Sequence, residues 1–337
     1  MLMGGIFFPQ PSRRYFFVKP SPLTQIYIMK KLKSEQQDSL FEESLPTKKA
    51  KTVQTISLAK LKKGFQSIGP FKLNDVHLAD SIASMALMPE ASVDLAIIDP
   101  PYNVSQGGEW KWDNSKVLPG MGGNWNKVIE EWDTFELKDY FDFTLAWVRE
   151  IKRIVKPEGS IWVHGTYHNI GLINFIFQLL KVEIINEVIW YKRNSFPNLS
   201  GRRLTASHES IIWAHTGKKR KYQFNYEFSK ESEFEGDNLK APGKQMRTVW
   251  DIPNNKTRDE LLLGKHPTQK PLRLIKRMIQ LSASPDQIVF SPFAGSGTDC
   301  LAAKELGMYY LGFDCNQEYV DLAKRRLANE IDSTNNE

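Results

Sequence analysis

Apolar and polar positions follow two rhythms along most of the chain. Short apolar or β-branched runs suited to buried strands are separated by longer stretches with the three-to-four-residue spacing of amphipathic helices. Val93 to Ile98 reads as a buried strand, Phe141 to Ile154 as an amphipathic helix ended by Pro157-Glu158-Gly159, and Ser160 to His164 as the next strand. Ile170 to Leu180 reads as a helix, and Ile184 to Tyr191 and Ser210 to Ala214 as strands. Ile288 to Phe290 is a strand, Asp299 to Leu306 a helix after a glycine turn, Tyr309 to Phe313 a strand, and Glu318 to Asn329 a closing helix. The alternation predicts an α/β fold on a mainly parallel sheet with right-handed crossovers, folding from near Phe71.

Three stretches break the rhythm. Residues 1–63 are basic and poor in apolar periodicity, as expected of a flexible arm, with Met29 as an alternative start and no signal-peptide pattern. Asn103 to Asp133 holds five glycines and four tryptophans, a long loop that either folds over a ligand or is an insertion with core-packing tryptophans. Residues 215–265 are polar and charge-clustered, as in a small inserted subdomain. They divide the fold into a half over 64–214 and a half over 266–330, with 331–337 as a tail.

Composition narrows the class. With 337 residues, 41% hydrophobic and 25% charged, the chain can bury a core without staples. Cys300 and Cys315 are its only cysteines, and neither sits in a Cys-x-x-Cys pair, which argues against a disulfide framework or a cysteine zinc site and suits a reducing cytoplasm. His208 and His266 lack helix-spaced carboxylate or cysteine partners, so no metal site is expected. The most apolar helix candidate is too short to cross a bilayer. Between Tyr191 and Tyr222, Lys192, Arg193, Arg202, Arg203, Lys218, Lys219, Arg220 and Lys221 face the single acid Glu209, a net +7 against +6 for the whole chain. The cluster is either a phosphate-binding surface or a solvated basic loop.

Two motifs carry chemistry. Asp99-Pro100-Pro101-Tyr102 follows the Val93 to Ile98 strand. Paired prolines fix φ and remove donors, so the Asp99 carboxylate and the Pro100 carbonyl can be held rigidly as two acceptors for one amino group. Such acceptors favour a tetrahedral nitrogen able to attack an electrophilic methyl, and Tyr102 offers a face on which a flipped base can stack. The plainer alternative is a Pro-Pro turn with a core tyrosine. The second motif, Ser291-Pro292-Phe293-Ala294-Gly295-Ser296-Gly297-Thr298, is a glycine turn between strand and helix. It lacks both the third glycine of a dinucleotide fingerprint and the Gly-Lys-Ser/Thr of a phosphate loop. Asp314, at the end of the next strand, is placed to accept ribose hydroxyls.

With His266-Pro267-Thr268-Gln269-Lys270-Pro271 between them, these motifs resemble in kind and order the β-class of amino-methyltransferases of DNA, over roughly residues 71–330. The resemblance implies a circularly permuted Rossmann-like methyltransferase fold with an inserted target-recognition region, and S-adenosylmethionine as cofactor. It implies a catalytic pocket of Asp99, Pro100, Pro101 and Tyr102. Phe293, Gly295, Ser296 and Gly297 would hold the cofactor's methionine end, Thr268, Lys270 and Pro271 would close that side, Asp314 would take the ribose, and Asp80 with Ser81 would lie near the adenine. Lys192, Arg193, Arg202, Arg203, Lys218 and Lys219 would meet DNA. Ser291 departs from the family pattern where an acid is usual, and Asp299 where a second threonine is usual; both bear on cofactor affinity.

Trp132-Asp133, Gly159-Ser160-Ile161-Trp162-Val163, Val188-Ile189-Trp190, Pro197-Asn198, His208-Glu209 and Gly243-Lys244-Gln245 look most like adenine enzymes of GATC or GANTC sites. The expected activity is adenine N6 methylation by direct in-line attack, in a restriction-modification setting. The expected partners are double-stranded or single-stranded DNA, a second copy of the chain and a cognate endonuclease. N4-cytosine methylation, where serine usually precedes Pro-Pro-Tyr, and a catalytically silent DNA-binding module are the alternatives. Cytosine C5 chemistry needs a thiolate, commonly in a Pro-Cys pair, and neither cysteine follows proline.

Overall fold

A computed structural model describes residues 66–103, 136–195, 202–231, 243–254, 258–264, 266 and 268–332. The basic arm, nearly all of the tryptophan-rich loop, the tail after Asp332 and parts of 215–265 lie outside the described residues.

Ten strands and eight helices are described: β1 (Ser67–Ile68), β2 (Phe71–Lys72), β3 (Asp75–Leu78), α1 (Ser81–Met85), β4 (Val93–Ile98), α2 (Leu137–Ile154), β5 (Val155–Gly165), α3 (Ile170–Leu179), β6 (Glu183–Tyr191), β7 (His208–His215), α4 (Phe228–Glu231), β8 (Val249–Asp251), α5 (Arg258–Leu261), α6 (Leu272–Ser282), β9 (Ile288–Ser291), α7 (Thr298–Glu305), β10 (Tyr309–Asp314) and α8 (Gln317–Asp332). β1 and β2 form a small antiparallel pair. The other eight make one sheet in the order β3-β10-β9-β4-β5-β7-β6-β8. β7 runs antiparallel to both its neighbours, and the remaining pairs are parallel.

All six residues of β4 are buried, as a central parallel strand requires. Its side chains alternate between two cores. Leu95 and Ile97 join the Trp162, Trp213 and Trp250 core beneath α6, α7 and α8. Ala96 and Ile98 join the Trp147, Phe177 and Phe313 core beneath α1, α2 and α3. The result is three layers. Trp162 and Trp213, cross-strand partners on β5 and β7, stack with centroids 4.9 Å apart.

Several boundaries differ from the sequence pattern. α2 starts at Leu137, four residues before the predicted Phe141. It passes directly into β5, so Pro157-Glu158-Gly159 lies inside a strand, at a register shift between the Val93–Val155 and Leu95–Ser160 pairs. The extra length is a bulge that leaves the helix and strand joined without a loop. β3, α1, α6 and β8 are additions to the elements the pattern predicts. In the polar 215–265 region, β8 pairs with β6, while Tyr222, Phe224, Phe228 and Met246 pack on the tryptophan core; these described parts extend the sheet.

Order reverses at the sheet centre. β9 and β4 are neighbours, one leading on towards β10 and β3, the other towards β5 and β7. Their carboxyl ends part at this switch point, where open α/β sheets hold ligands.

Candidate active site

A cavity of about 300 Å³ opens at that point, bordered by Asp80, Ser81, Asp99, Pro100, Pro101 and Tyr102 from one half, and by Thr268, Lys270, Phe293, Gly295, Ser296 and Asp314 from the other. Two of the expected cofactor residues do not border it. Pro271 is buried as the N-cap of α6, and Gly297 is the N-cap of α7. Gly297 has φ 73°, and a Cβ there would lie 2.7 Å from that of Ala323, so its place in the turn is set by packing against α8.

The glycine turn is pinned from three sides. Asp314 accepts the Gly295 N–H at 2.8 Å and the Asn316 N–H at 2.9 Å. Arg326 of α8, itself buried, donates to the Ser296 carbonyl at 2.5 Å and to Thr298 Oγ1 at 3.0 Å. Ser81 donates to the Pro292 carbonyl. Gly295 has φ 49°, and a Cβ there would come within 3.3 Å of His266 Nε2. His266 in turn accepts from the Thr268 N–H through Nδ1 at 3.2 Å; burial lowers its pKa to about 4, so it is neutral. Asp80 caps α1 by accepting from Ala83 N–H at 2.8 Å. The far end of that helix is tied to α2, where Arg153 donates to the carbonyls of Met85 and Met88 at 2.6 and 2.7 Å. Burial raises the Asp314 carboxyl despite its two backbone donors.

Asp99 lies at the opposite wall. Its Oδ1 accepts from the Tyr102 hydroxyl at 2.6 Å and its Oδ2 from Lys270 Nζ at 2.6 Å. Lys270 also lies 5.2 Å from the Tyr102 ring centroid, a cation over an aromatic face. The Tyr140 hydroxyl donates to the Pro101 carbonyl at 2.7 Å. The buried Pro100 carbonyl accepts nothing from the described residues, so beside Asp99 it remains available to a ligand N–H.

The sequence marks Glu209 only as the one acid of the basic segment and as half of the His208-Glu209 pair, and assigns it no place in the site. On β7, it accepts from Lys192 at 2.8 Å, stands 3.4 Å from the Tyr102 hydroxyl and lies 3.9 Å from Lys270 Nζ. Two carboxylates and two ammonium groups thus form a neutral, largely buried cluster around one phenol. Burial works against ionising Asp99 and Glu209, but the neighbouring lysines win and both carboxyls lie below their usual range. Lys270 is held above its own, where the two carboxylates outweigh burial. Burial and the same carboxylates push Tyr102 well up, so it remains a phenol donor. His164, fully buried at the end of β5, has neither ring nitrogen hydrogen-bonded among the described residues, and burial takes its pKa down to about 4. Only its apolar surroundings in β5 are legible from sequence.

Of the basic residues, Lys192 is committed to Glu209 and Arg193 forms a two-pronged pair with Asp251 at 2.8 and 2.9 Å. Arg203 reaches the Tyr167 hydroxyl and Arg220 reaches Glu183 at 2.5 Å. Arg202, Lys218 and Lys219 are exposed. Among the described residues no group of three or more potential ligands could hold a metal ion, and no helix is long and apolar enough to cross a membrane.

This strand order, with its crevice beneath a glycine turn carried on a late strand, is that of a circularly permuted Rossmann-like methyltransferase. The chain belongs to the N6/N4 methyltransferase family described as DNA methylase, whose profile matches residues 93–325. It is 37% identical over 260 residues to the type II methyltransferase M.HinfI of Haemophilus influenzae, covering 76% of this chain and 68% of that one. It is 37% identical over 253 residues to the type II methyltransferase M2.LlaDCHI of Lactococcus lactis subsp. cremoris, covering 75% and 88%. Among solved structures, PvuII DNA methyltransferase, cytosine-N4-specific, shares the fold with a TM-score of 0.56 at 18% identity, over 74% of this chain and 85% of that one. The cofactor is S-adenosylmethionine, and the cavity suits it: carboxylates at the strand ends fit ribose hydroxyls and a cationic amino-acid end, and the walls include Phe293 and Pro100.

Proposed function

We propose that the protein is a site-specific DNA adenine N6-methyltransferase of a restriction-modification system, acting in the cytoplasm on a GATC- or GANTC-type site. The reading rests on one observation: Asp99 and Pro100 both border the cavity at the switch point of the sheet, and this supports their acting as a paired acceptor for an amino group. Bound S-adenosylmethionine supplies a methyl on cationic sulfur, which an amine can take as the thioether leaves. Asp99 and Pro100 orient the amine by accepting its two N–H bonds, drawing its lone pair out of the ring. Lys270 keeps Asp99 ionised, so that it accepts rather than donates. A carboxyl held this low is a poor final base, and the proton lost from the methylated nitrogen passes on to water. Tyr102 offers its ring to the flipped base.

Adenine is favoured by aspartate rather than serine before Pro-Pro-Tyr. The same two acceptors suit the N4 amine of cytosine, the activity named for the PvuII enzyme, and that is the second reading. Phe293, Gly295 and Ser296 receive the methionine end of the cofactor, and Asp314 its ribose. Arg202, Arg203, Lys218 and Lys219 meet phosphates of double-stranded DNA, and the further partners of this reading are a cognate endonuclease and a second copy of the chain. Incubating DNA with labelled cofactor and analysing the nucleosides tests the reading. N6-methyladenine is expected. N4-methylcytosine would move the assignment to the second reading, and no modified base would refute both.

A further inference from the structure

Ser291 and Asp299 both depart from the family pattern, and the two side chains touch. Ser291 Oγ donates to Asp299 Oδ2 at 2.7 Å across the glycine turn. Asp299 is 6% exposed and borders the cofactor cavity, and its other oxygen accepts nothing from the described residues. A buried carboxylate with one oxygen held by a neutral hydroxyl and the other unanswered is short of a cation. The cations that act on it are already engaged: Lys270 lies 2.6 Å from Asp99, and Arg326 donates to the Ser296 carbonyl and Thr298. The cofactor's methionine end brings an ammonium to this turn.

We propose that Asp299, in the first turn of α7 and steadied by Ser291, is the anionic subsite for the α-ammonium of S-adenosylmethionine. Near Asp299, burial is the largest influence and raises its carboxyl pKa; the Ser291 bond, Lys270 and Arg326 oppose this, Asp99 adds to it, and the group stands at about 7. The buried Cys300 thiol beside it is pushed well up and stays neutral. An arriving ammonium meets a site half protonated at neutral pH and fully charged above it. The plainer role, an acid facing the positive end of a helix, would stabilise α7 without telling one ligand from another.

The inference rests on the cofactor lying beneath the glycine turn, and the test separates the two claims. Affinity is measured by calorimetry for S-adenosylhomocysteine, which carries the amino-acid end, and for methylthioadenosine, which lacks it. Asp299→Asn is expected to weaken S-adenosylhomocysteine about ten- to hundredfold, as loss of a charge-assisted hydrogen bond does, and to leave methylthioadenosine within about twofold. The double variant Ser291→Asp with Asp299→Ser is expected to restore most of the loss. In the wild type, the ratio of the two affinities is expected to rise between pH 5 and 8 and to be flat in Asp299→Asn. Equal weakening of both ligands, or of neither, overturns the ammonium assignment. Should Asp299→Asn fail to fold, a wild-type ratio independent of pH overturns it. If Asp314→Asn leaves both ligands unaffected, the cofactor does not lie beneath the turn and the assignment falls with that placement.

Discussion

Asp99 and Lys270 stand 171 positions apart in the chain and meet at 2.6 Å, with Lys270 only 5% exposed. The pair joins the end of β4 to the segment before α6, both of which border the cavity. Neither charge is tolerable there alone.

Replacing Asp99 therefore acts on stability as well as chemistry. Asp99→Ala is expected to abolish turnover while retaining cofactor binding, and to lose about 3 kcal/mol of unfolding free energy because the buried Lys270 keeps only the more distant Glu209, 3.9 Å away, as a counter-charge. Asp99→Ala combined with Lys270→Met should recover much of that loss without recovering turnover. Urea unfolding of the single and double variants, alongside cofactor titration, measures both effects.

Glu209 accepts from Lys192 and stands within reach of the Tyr102 hydroxyl, so Glu209→Gln disturbs the phenol and Lys270 together. Turnover is expected to fall roughly ten- to a hundredfold, with cofactor affinity changed less than about twofold, because the residue lies beyond the cavity wall. Single-turnover kinetics and cofactor titration separate the two.

Acid sensitivity follows from the histidines. His164 and His266 each have a folded pKa of about 4 against an ordinary 6.5. Between these values the unfolded chain binds a proton that the folded chain refuses, so stability falls as pH drops from about 6.5 to 4, by up to about 3 kcal/mol for each imidazole. Unfolding free energy measured across this window should slope less steeply in His164→Asn.

The basic cluster divides by partner. Neutralising Arg202, Arg203, Lys218 and Lys219 should weaken DNA binding and reduce the salt slope by about 0.9 for each phosphate left without its cation. Lys192→Met should leave that slope nearly unchanged and cost about 3 kcal/mol in stability, since its ammonium answers Glu209. Fluorescence anisotropy at several salt concentrations distinguishes these outcomes.

The parts of the fold legible in the sequence are those whose own residues decide the structure. β4, β9 and β10 are short, mostly apolar runs that the centre of the sheet buries. β3 and β8 are strands because β10 and β6 lie beside them, and four or three residues of mixed polarity carry no such signal. α6 is different, since Leu274, Ile275, Met278 and Ile279 repeat at helical spacing and are readable behind the motif that precedes them. Asp99, Tyr102 and the glycine turn announce themselves through backbone chemistry that is local. Glu209 and His164 do not, because their meaning comes from β5 and β7 being brought alongside β4.

The late position of β9 in the chain has a consequence for synthesis on the ribosome. β4 emerges well before the strand that pairs with its inner edge, and until β9 and β10 follow, that edge stays open to other chains. A chain halted before β9 has one wall of the cavity and no glycine turn to face it, so the two walls come together only once β9 and β10 have joined the sheet.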